Sequence, residues 1–499
     1  MSVQYSVDLK APARPYPHYW EFCVGSCHAA TLLRKDVQDH IRKAHNEIGF
    51  RYIRFHGLFD NDMSVYFKPS FGFGEPIISF YNIDLIFDFL LEIGMKPFIE
   101  IGFMPDDLAA SDAVLFHYKG RPCMPNDEDE WKKLIRLFGE HLIERYGLDE
   151  VRQWFFEVWN EPNLRFFFDG TQEDYFHLYE MTARTLKAVD PELQVGGPAT
   201  SVNAWIVPFK KFCADNDVPV DFISTHHYPS DDPLSTMGMN GPGTKGAGFD
   251  LPNIDEMTDE EKEAMRKAFM NRVNKNPRDI LVQMTRKAKA EADPLPLYYT
   301  EWHGSGDYDT SYQAAFDVQT FAYNDGLVKG YSYWTVSDIF EEMGMKPGPF
   351  KNEFGLQTNH GVAKPSYRAF QALHEAGSLR IDVPAQDPYC EALVLTDGQN
   401  EATVFIYNHD LDRRTKDAKE VELKLCGAKQ VWKAVIDDDH TNPKKAWEEM
   451  GCPAYLTKEQ ELALHRASEL KYEQLPATGE DTYTFVAEPE SVTIFKVRI

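Results

Sequence analysis

Positive charge is scarce in this sequence: 52 Lys and Arg stand against 79 Asp and Glu, for a formal net charge of −27 and a pI near 5.0. Phosphate backbones and anionic membrane surfaces both recruit clusters of Lys and Arg, so the balance argues against nucleic acid or a lipid surface as partner and for a neutral ligand. Cysteine is sparse as well. The seven present (Cys23, Cys27, Cys123, Cys213, Cys390, Cys426 and Cys452) are odd in number and lack CxxC pairing, which excludes a dense disulfide scaffold or zinc knuckles and leaves them as reduced thiols. No stretch offers the roughly 18 uninterrupted apolar residues of a membrane span. The N-terminus, MSVQYSVDLKAPARPYP, has no basic segment followed by an apolar run. The expectation is a soluble, cytoplasmic protein.

What the sequence does contain is enough apolar material for a large core, with 43% hydrophobic and 13% aromatic residues over 499 positions. Short apolar strands alternate with amphipathic helices from about residue 20 to 375. WEFCVGS (20–26) precedes a helical stripe of Val37, Ile41, Ala44 and Ile48 stopped by Gly49. FRYIRFHGL (50–58) precedes Ile83, Ile86, Phe87 and Leu90, stopped near Gly94. KPFIEIGFMP, WFFEVWNEPN, LQVGGPAT, DFISTHHYP, LPLYYTEWHG and KGYSYWTVSD (329–338) complete eight strands. Eight β/α units predict a closed (β/α)8 TIM barrel over 18–376. After residue 376 the pattern changes to short alternating strands with turn signals, such as EALVLTDGQNEATVFIYN, which predicts a C-terminal antiparallel β-sandwich over 377–499, interrupted by charged helical sequence at 441–472. Residues 1–17 are expected to dock on that sandwich.

Chemistry in such barrels is carried at the C-terminal ends of the strands, and those ends are polar here. They hold His56, Glu100, Asn160, Glu161, His226, His227, Tyr228, Glu301, Trp302, His303, Trp334 and Asp338. Glu161 closes an otherwise greasy strand, where an isolated carboxylate costs several kcal/mol unless it is paired, neutralised or used. Glu301 closes another strand on the far side of the ring. Paired carboxylates flanking a sugar are the machinery of glycoside hydrolysis, one protonated to donate to the leaving oxygen and one to attack or activate water. A neighbouring carboxylate is expected to raise the acid's pKa, while Tyr and His residues near Glu301 offer hydrogen-bond donors. Glu100 is read as a buried partner for a pocket His or Arg, and His227 as pointing away from the pocket by strand alternation.

The stretches FCVGS, GFRYIRFHGLF, KPFIEIGFMP, IERYG, EVWNEPNL, LYEMTAR, DPELQVGGPA, VPVDFIS, TEW and SYWTVSDIFEEM together resemble glycoside hydrolase family 39, in its β-xylosidase branch more than its iduronidase branch, over nearly the whole chain. The resemblance implies an exo-acting retaining hydrolase that releases xylose from xylo-oligosaccharides, with Glu161 as acid/base and Glu301 as nucleophile. It also implies that Asn160 touches the sugar 2-hydroxyl and that His56, Phe116, His226, Tyr228, Trp334 and Glu342 line the glycone pocket. No metal or organic cofactor is expected. The chain departs from the family pattern at TEWHGSGDY, where members carry TEYN and small polar residues, and at FCVGSCHAA, which is expected to bring Cys27 and His28 near the pocket rim.

Other readings are weaker on the residues. A metal-dependent barrel hydrolase wants His-x-His on its first strand, which CVGSC does not supply. An inactive carbohydrate-binding protein would not need both Glu161 and Glu301. Within the enzyme class, β-glucosidase, β-galactosidase and α-L-arabinopyranosidase differ from β-xylosidase by one hydroxyl or a hydroxymethyl group, contrasts of about 1 to 3 kcal/mol. A Gly-rich insertion over 237–274, with a capping box from Thr258 to Glu261, is expected beside the aglycone side of the pocket or at a contact within a homo-oligomer. Asp437 to His440 reads as an acidic turn.

Overall fold

The structure, a computed structural model, describes residues 2–69, 74–231, 258, 260–261, 264, 276–304, 306–411 and 417–499. The insertion at 237–274 lies outside the described residues except at 258, 260, 261 and 264, and there the capping box is present: the Glu261 amide donates to the Thr258 hydroxyl at 3.3 Å and the Thr258 amide to Glu261 Oε2 at 2.8 Å.

Eight parallel strands close a ring in chain order: Cys23–His28, Tyr52–His56, Lys96–Ile101, Phe155–Val158, Gln194–Thr200, Phe222–His227, Leu297–Trp302 and Gly330–Tyr333. A helix follows each one, from Lys35–Ile48 to Pro365–His374. The first of these helices buries Val37, Ile41, Ala44 and Ile48 and ends at Gly49, whose φ of +82° is one that glycine adopts without a Cβ clash. Gly49 has a second use, since a Cβ there would meet the His374 ring at 2.5 Å. The eighth strand is shorter than its sequence suggests. Beyond Trp334 the backbone turns to bond with 354–357, through Thr335 N–H to Phe354 O and Asp338 N–H to Gln357 O. This exit lays Trp334 across the barrel mouth instead of continuing the ladder.

Inward-facing side chains stack in layers. The lowest is aromatic: Phe22, Tyr52, Phe98, Phe155, Phe222 and Tyr298 plug the N-terminal end, with Phe98 and Phe155 stacked at 5.0 Å. Two residues up each strand the layer becomes ionic, with Arg54, Glu100 and Glu157 fully buried. The plug and the ionic layer close the barrel from below, so ligands have access only at the C-terminal mouth.

Apart from a short ladder of Tyr66–Phe67 with Ile77–Ile78, the remaining strands form a seven-stranded antiparallel sheet, containing Cys390–Thr396, Glu401–Asn408, Ser491–Arg498 and Gln430–Ile436, that faces a three-stranded sheet. The N-terminal strand Val3–Asp8 lies in the smaller sheet and pairs in parallel with Lys419–Cys426. Its alternating burial places Val3, Tyr5 and Val7 in the sandwich core. Helices Pro443–Glu449 and Lys458–Ala467 interrupt the sandwich where charged helical sequence was expected. Asp437 accepts from the amides of Asp439 and His440, the bonding of an acidic turn. Among the described residues no helix is long and apolar enough to cross a membrane.

Candidate active site

Above the ionic layer the strand ends bring Glu161 and Glu301 together, with one oxygen of each within 4.8 Å of the other. The strand carrying Glu161 ends at Val158, and the backbone then passes through left-handed φ at both Trp159 (+74°) and Glu161 (+43°). Such conformations cost non-glycine residues on the order of 1 kcal/mol or more each and persist where surrounding structure enforces them. Here the Trp159 indole donates to Phe167 O at 2.8 Å and the Glu161 amide donates to Ala199 O at 2.8 Å, fixing Asn160 and Glu161 in the mouth. Glu301 reaches the site by another device. The pairing of the seventh strand with the eighth slips between Tyr299 and Trp302, and its pairing with the sixth slips at Thr225/His226. An irregularity of this kind re-aims a side chain, so Thr300 and Glu301 in succession both meet residues of the barrel interior.

Arg54 is the hub, and the sequence reading missed it. Its guanidinium donates to Glu301 Oε1 at 2.8 Å, to Asn160 Oδ1 at 2.8 Å and to Glu157 Oε2 at 2.5 Å, and lies 2.9 Å from Glu100 Oε2. The available signal was parity, since Arg54 lies two residues before His56 and therefore faces the same way. Glu301 also accepts from the Tyr228 hydroxyl at 2.8 Å. Both its oxygens are thus met by donors suited to an ionised carboxylate.

Glu161 is buried, and burial pushes its carboxyl up to about 7 against the opposing pull of a Ser201 hydrogen bond and the Arg54 charge. Desolvation is the largest cause, and the charge of Glu100 adds to it. Burial also drives His56 down to about 3 and His226 down to about 4, so both imidazoles are neutral at pH 7. Glu342 is raised well above the usual carboxyl range by burial and by the charges of Glu301 and Glu161.

Each residue named from sequence has a defined place. His56 Nδ1 lies 2.7 Å from Glu100 Oε2, and its Nε2 faces Glu301 at 3.7 Å and Glu342 at 3.8 Å. Glu100 is therefore the partner expected for a pocket His and Arg. Asn160 leaves its buried Nδ2 without a protein partner among the described residues. His226 Nδ1 lies 2.9 Å from Glu161 Oε1. Trp334 packs at 4.8 Å from the His56 ring over Gly25, where a Cβ would collide with the indole at 2.5 Å. Phe116 packs on Phe167 at 5.5 Å, and the adjoining His117 amide donates to Glu342 O at 2.8 Å, joining the third and eighth strand loops. Phe166 is half exposed beside them while Phe168 is buried.

Two sequence expectations need adjustment. Cys27 and His28 are not at the rim: Cys27 is buried against Trp334 and Phe340, and His28 stacks under Tyr118 at 4.0 Å, because the extended strand carries them inward. Trp302 is no pocket wall, since it faces the helical shell against Tyr331 and Phe321. His227 does point outward as expected, stacked at 3.6 Å on Tyr299.

Two groups of described residues have metal-compatible spacing. Glu161, His226 and Glu301 form one, and their atoms are already engaged: His226 Nδ1 lies 2.9 Å from Glu161 Oε1, and Glu301 accepts from Arg54 and Tyr228, each at 2.8 Å. The other joins His18, Glu21 and His374 near the barrel's N-terminal end, where both imidazole Nδ1 atoms converge on Glu21 Oε1 at 2.6 and 3.0 Å as a hydrogen-bonded clamp.

Comparison with known proteins agrees with this geometry. The chain is 44% identical over 496 residues to a β-xylosidase of Caldicellulosiruptor saccharolyticus, covering 96% of this chain and 95% of that one. It is 34% identical to a β-xylosidase of Geobacillus stearothermophilus, covering 96% and 92%. A solved family 39 β-xylosidase from Caulobacter crescentus superposes with a TM-score of 0.81 at 29% identity, over 99% of this chain and 100% of that one. The family model described as glycosyl hydrolases family 39 matches residues 3–241 and 258–482, and the chain belongs to that family.

Proposed function

We propose that this protein is a retaining β-xylosidase that removes xylose from the non-reducing end of xylo-oligosaccharides. The observation that carries the mechanism is the approach of the Glu161 and Glu301 oxygens to within 4.8 Å. Retaining enzymes hold their carboxyl groups about 5 to 5.5 Å apart, whereas inverting enzymes need about 6.5 to 9.5 Å to seat a water between them. Glu301, held by Arg54 and Tyr228, attacks the anomeric carbon while the Glu161 carboxylic acid protonates the departing oxygen. Glu161, then a carboxylate, takes a proton from the water that releases the sugar. The unpartnered Asn160 Nδ2 is positioned to donate to the 2-hydroxyl, Glu342 and neutral His56 to contact other hydroxyls, and Trp334 to cover the C–H face. The two β-xylosidase relatives support the choice of glycone.

The same reading takes residues 18–376 as the catalytic barrel and 1–17 with 377–499 as the accessory sandwich. It takes the chemistry as free of metal and cofactor, and the seven unpaired cysteines as fitting a cytoplasmic home. The insertion over 237–274, which follows the sixth strand in sequence, is taken to border the aglycone side of the pocket or to serve a contact within a homo-oligomer. A panel of p-nitrophenyl glycosides, run with and without EDTA and with proton NMR of the first product, tests the core of the reading. The β-xyloside should be the best substrate, EDTA should leave kcat unchanged, and the first anomer should be β. A preferred glucoside, galactoside or arabinopyranoside would change the glycone, and an α first product would overturn the double displacement.

A further inference from the structure

Behind the two carboxylates runs a chain of buried hydrogen bonds that the mechanism above does not use. Arg54 Nε donates to Glu157 Oε2 at 2.5 Å, the Thr300 hydroxyl to Glu157 Oε1 at 2.8 Å, His226 Nε2 lies 3.2 Å from Thr300 Oγ1, and His226 Nδ1 lies 2.9 Å from Glu161 Oε1. Every group in it is at most 7% exposed. The direction of the chain is fixed by its ionic end. Glu157 pairs with Arg54 and accepts from the Thr300 hydroxyl, so Thr300 spends its single proton on that carboxylate. Its oxygen can then only accept from His226, which places the imidazole proton on Nε2 and leaves Nδ1 as a lone pair. A lone pair 2.9 Å from Glu161 Oε1 favours the carboxylic acid form, whose O–H can donate to it, over the carboxylate.

We propose that Thr300 is a positioning residue that locks His226 in its Nε2–H tautomer and thereby keeps Glu161 protonated for attack on the glycoside. The proposal rests on the assignment of Glu161 as the acid. The opposite tautomer, Nδ1–H, would donate to Glu161 and also face Glu301 Oε2 at 3.6 Å, which would favour two carboxylates in the mouth. It would require the Thr300 proton to leave Glu157 for His226, giving up a bond to an ion for one to a neutral ring. The other charged or titratable groups near this pair are Arg54, His56, Glu100, Glu301, Glu342, Tyr228 and, on the outer side of the strand, His227; Ser201 donates to Glu161. None of them bonds His226 Nε2 among the described residues, so the tautomer choice falls to Thr300.

Two measurements test this. In protein labelled with 15N at histidine, the ring shifts of His226, assigned by comparison with a His226→Asn variant, should report a neutral ring with its proton on Nε2; a proton on Nδ1 overturns the proposal whatever the role of Glu161. In kinetics, Thr300→Val frees the ring to reverse, and the upper limb of kcat/KM against pH should move down by about one unit, roughly tenfold in the acid's ionisation. Thr300→Ser, which keeps the hydroxyl, should restore the wild-type limb. An unmoved limb in the Val variant, or an equal shift in the Ser variant, would overturn the lock. Failure of Glu161 as the acid would appear separately, as a limb that survives in Glu161→Gln with the NMR result intact.

Discussion

At the scale of single residues, Glu161 and Glu301 are asked for different chemistry and should fail differently. Glu301→Ala removes the covalent step, and no leaving group or external acid replaces it, so turnover should fall by at least about a thousandfold on every substrate. Glu161→Ala should still form the glycosyl-enzyme from an aryl glycoside with a good leaving group but release it slowly, and added azide should restore turnover as the β-glycosyl azide. An α-azide would assign the residues to a single displacement instead. Because burial holds the Glu161 carboxyl up to about 7, and glycosylation needs its proton, wild-type kcat/KM should be high below that value and fall as pH rises through it. A pH series on a natural disaccharide, where leaving-group protonation matters most, reads that limb directly. These two residues were legible because each is an acidic side chain ending an apolar run. Arg54 was not, because an arginine beside YI and FH looks like a polar position on a half-exposed strand until the ring is closed around it.

At the scale of elements, the loops after the seventh and eighth strands are held by one cation. Lys364, fully buried at the start of the last barrel helix, has its Nζ 2.7 Å from Asp309 Oδ1 and 2.8 Å from Asp338 Oδ2, and donates to Glu353 O at 2.8 Å. Asp309 and Asp338 belong to those two loops and in turn accept from the amides of Asn352 and Gly355, at 2.7 and 2.8 Å. Between them Phe354 stacks on His303 at 5.1 Å and meets Phe340 at 5.2 Å, and Phe340 packs against Trp334. Lys364→Met leaves two carboxylates buried without their cation. It should cost about 3 to 5 kcal/mol in urea unfolding and raise KM for aryl xylosides as Trp334 loosens. A variant with wild-type KM would show that the loops hold their places without the ion. The lysine's role could not be read in AKPSYR, because its two partners lie 26 and 55 residues earlier in the chain.

At the scale of the whole molecule, barrel and sandwich are joined through Arg278. Its guanidinium lies 2.7 Å from Glu391 Oε2 in the sandwich and donates to His409 O at 2.8 Å and to the Tyr323 hydroxyl of the barrel at 2.7 Å. None of these partners is a pocket residue, so Arg278→Ala should lower stability by about 3 kcal/mol while leaving kcat and KM on aryl glycosides within about twofold of wild type. Denaturant unfolding followed beside activity at a permissive temperature separates the two effects. A large loss of kcat in a folded variant would mean that the sandwich takes part in shaping the mouth.

The sequence by itself determined the eight β/α units, the alternating strands that follow them, and the two acidic strand ends, because hydrophobic period and strand-end chemistry are local properties that a linear reading detects. Its motifs were dense enough to reach the family. Tertiary structure decided what depends on closure of the ring: that Arg54 meets three carboxylates and Asn160, that Trp334 leaves its strand to cover the mouth, and that burial is the largest cause of the raised Glu161 carboxyl, with the charge of Glu100 added to it. Each of these follows from residues far apart in sequence being taken out of water together, and desolvation is set by all the neighbours at once.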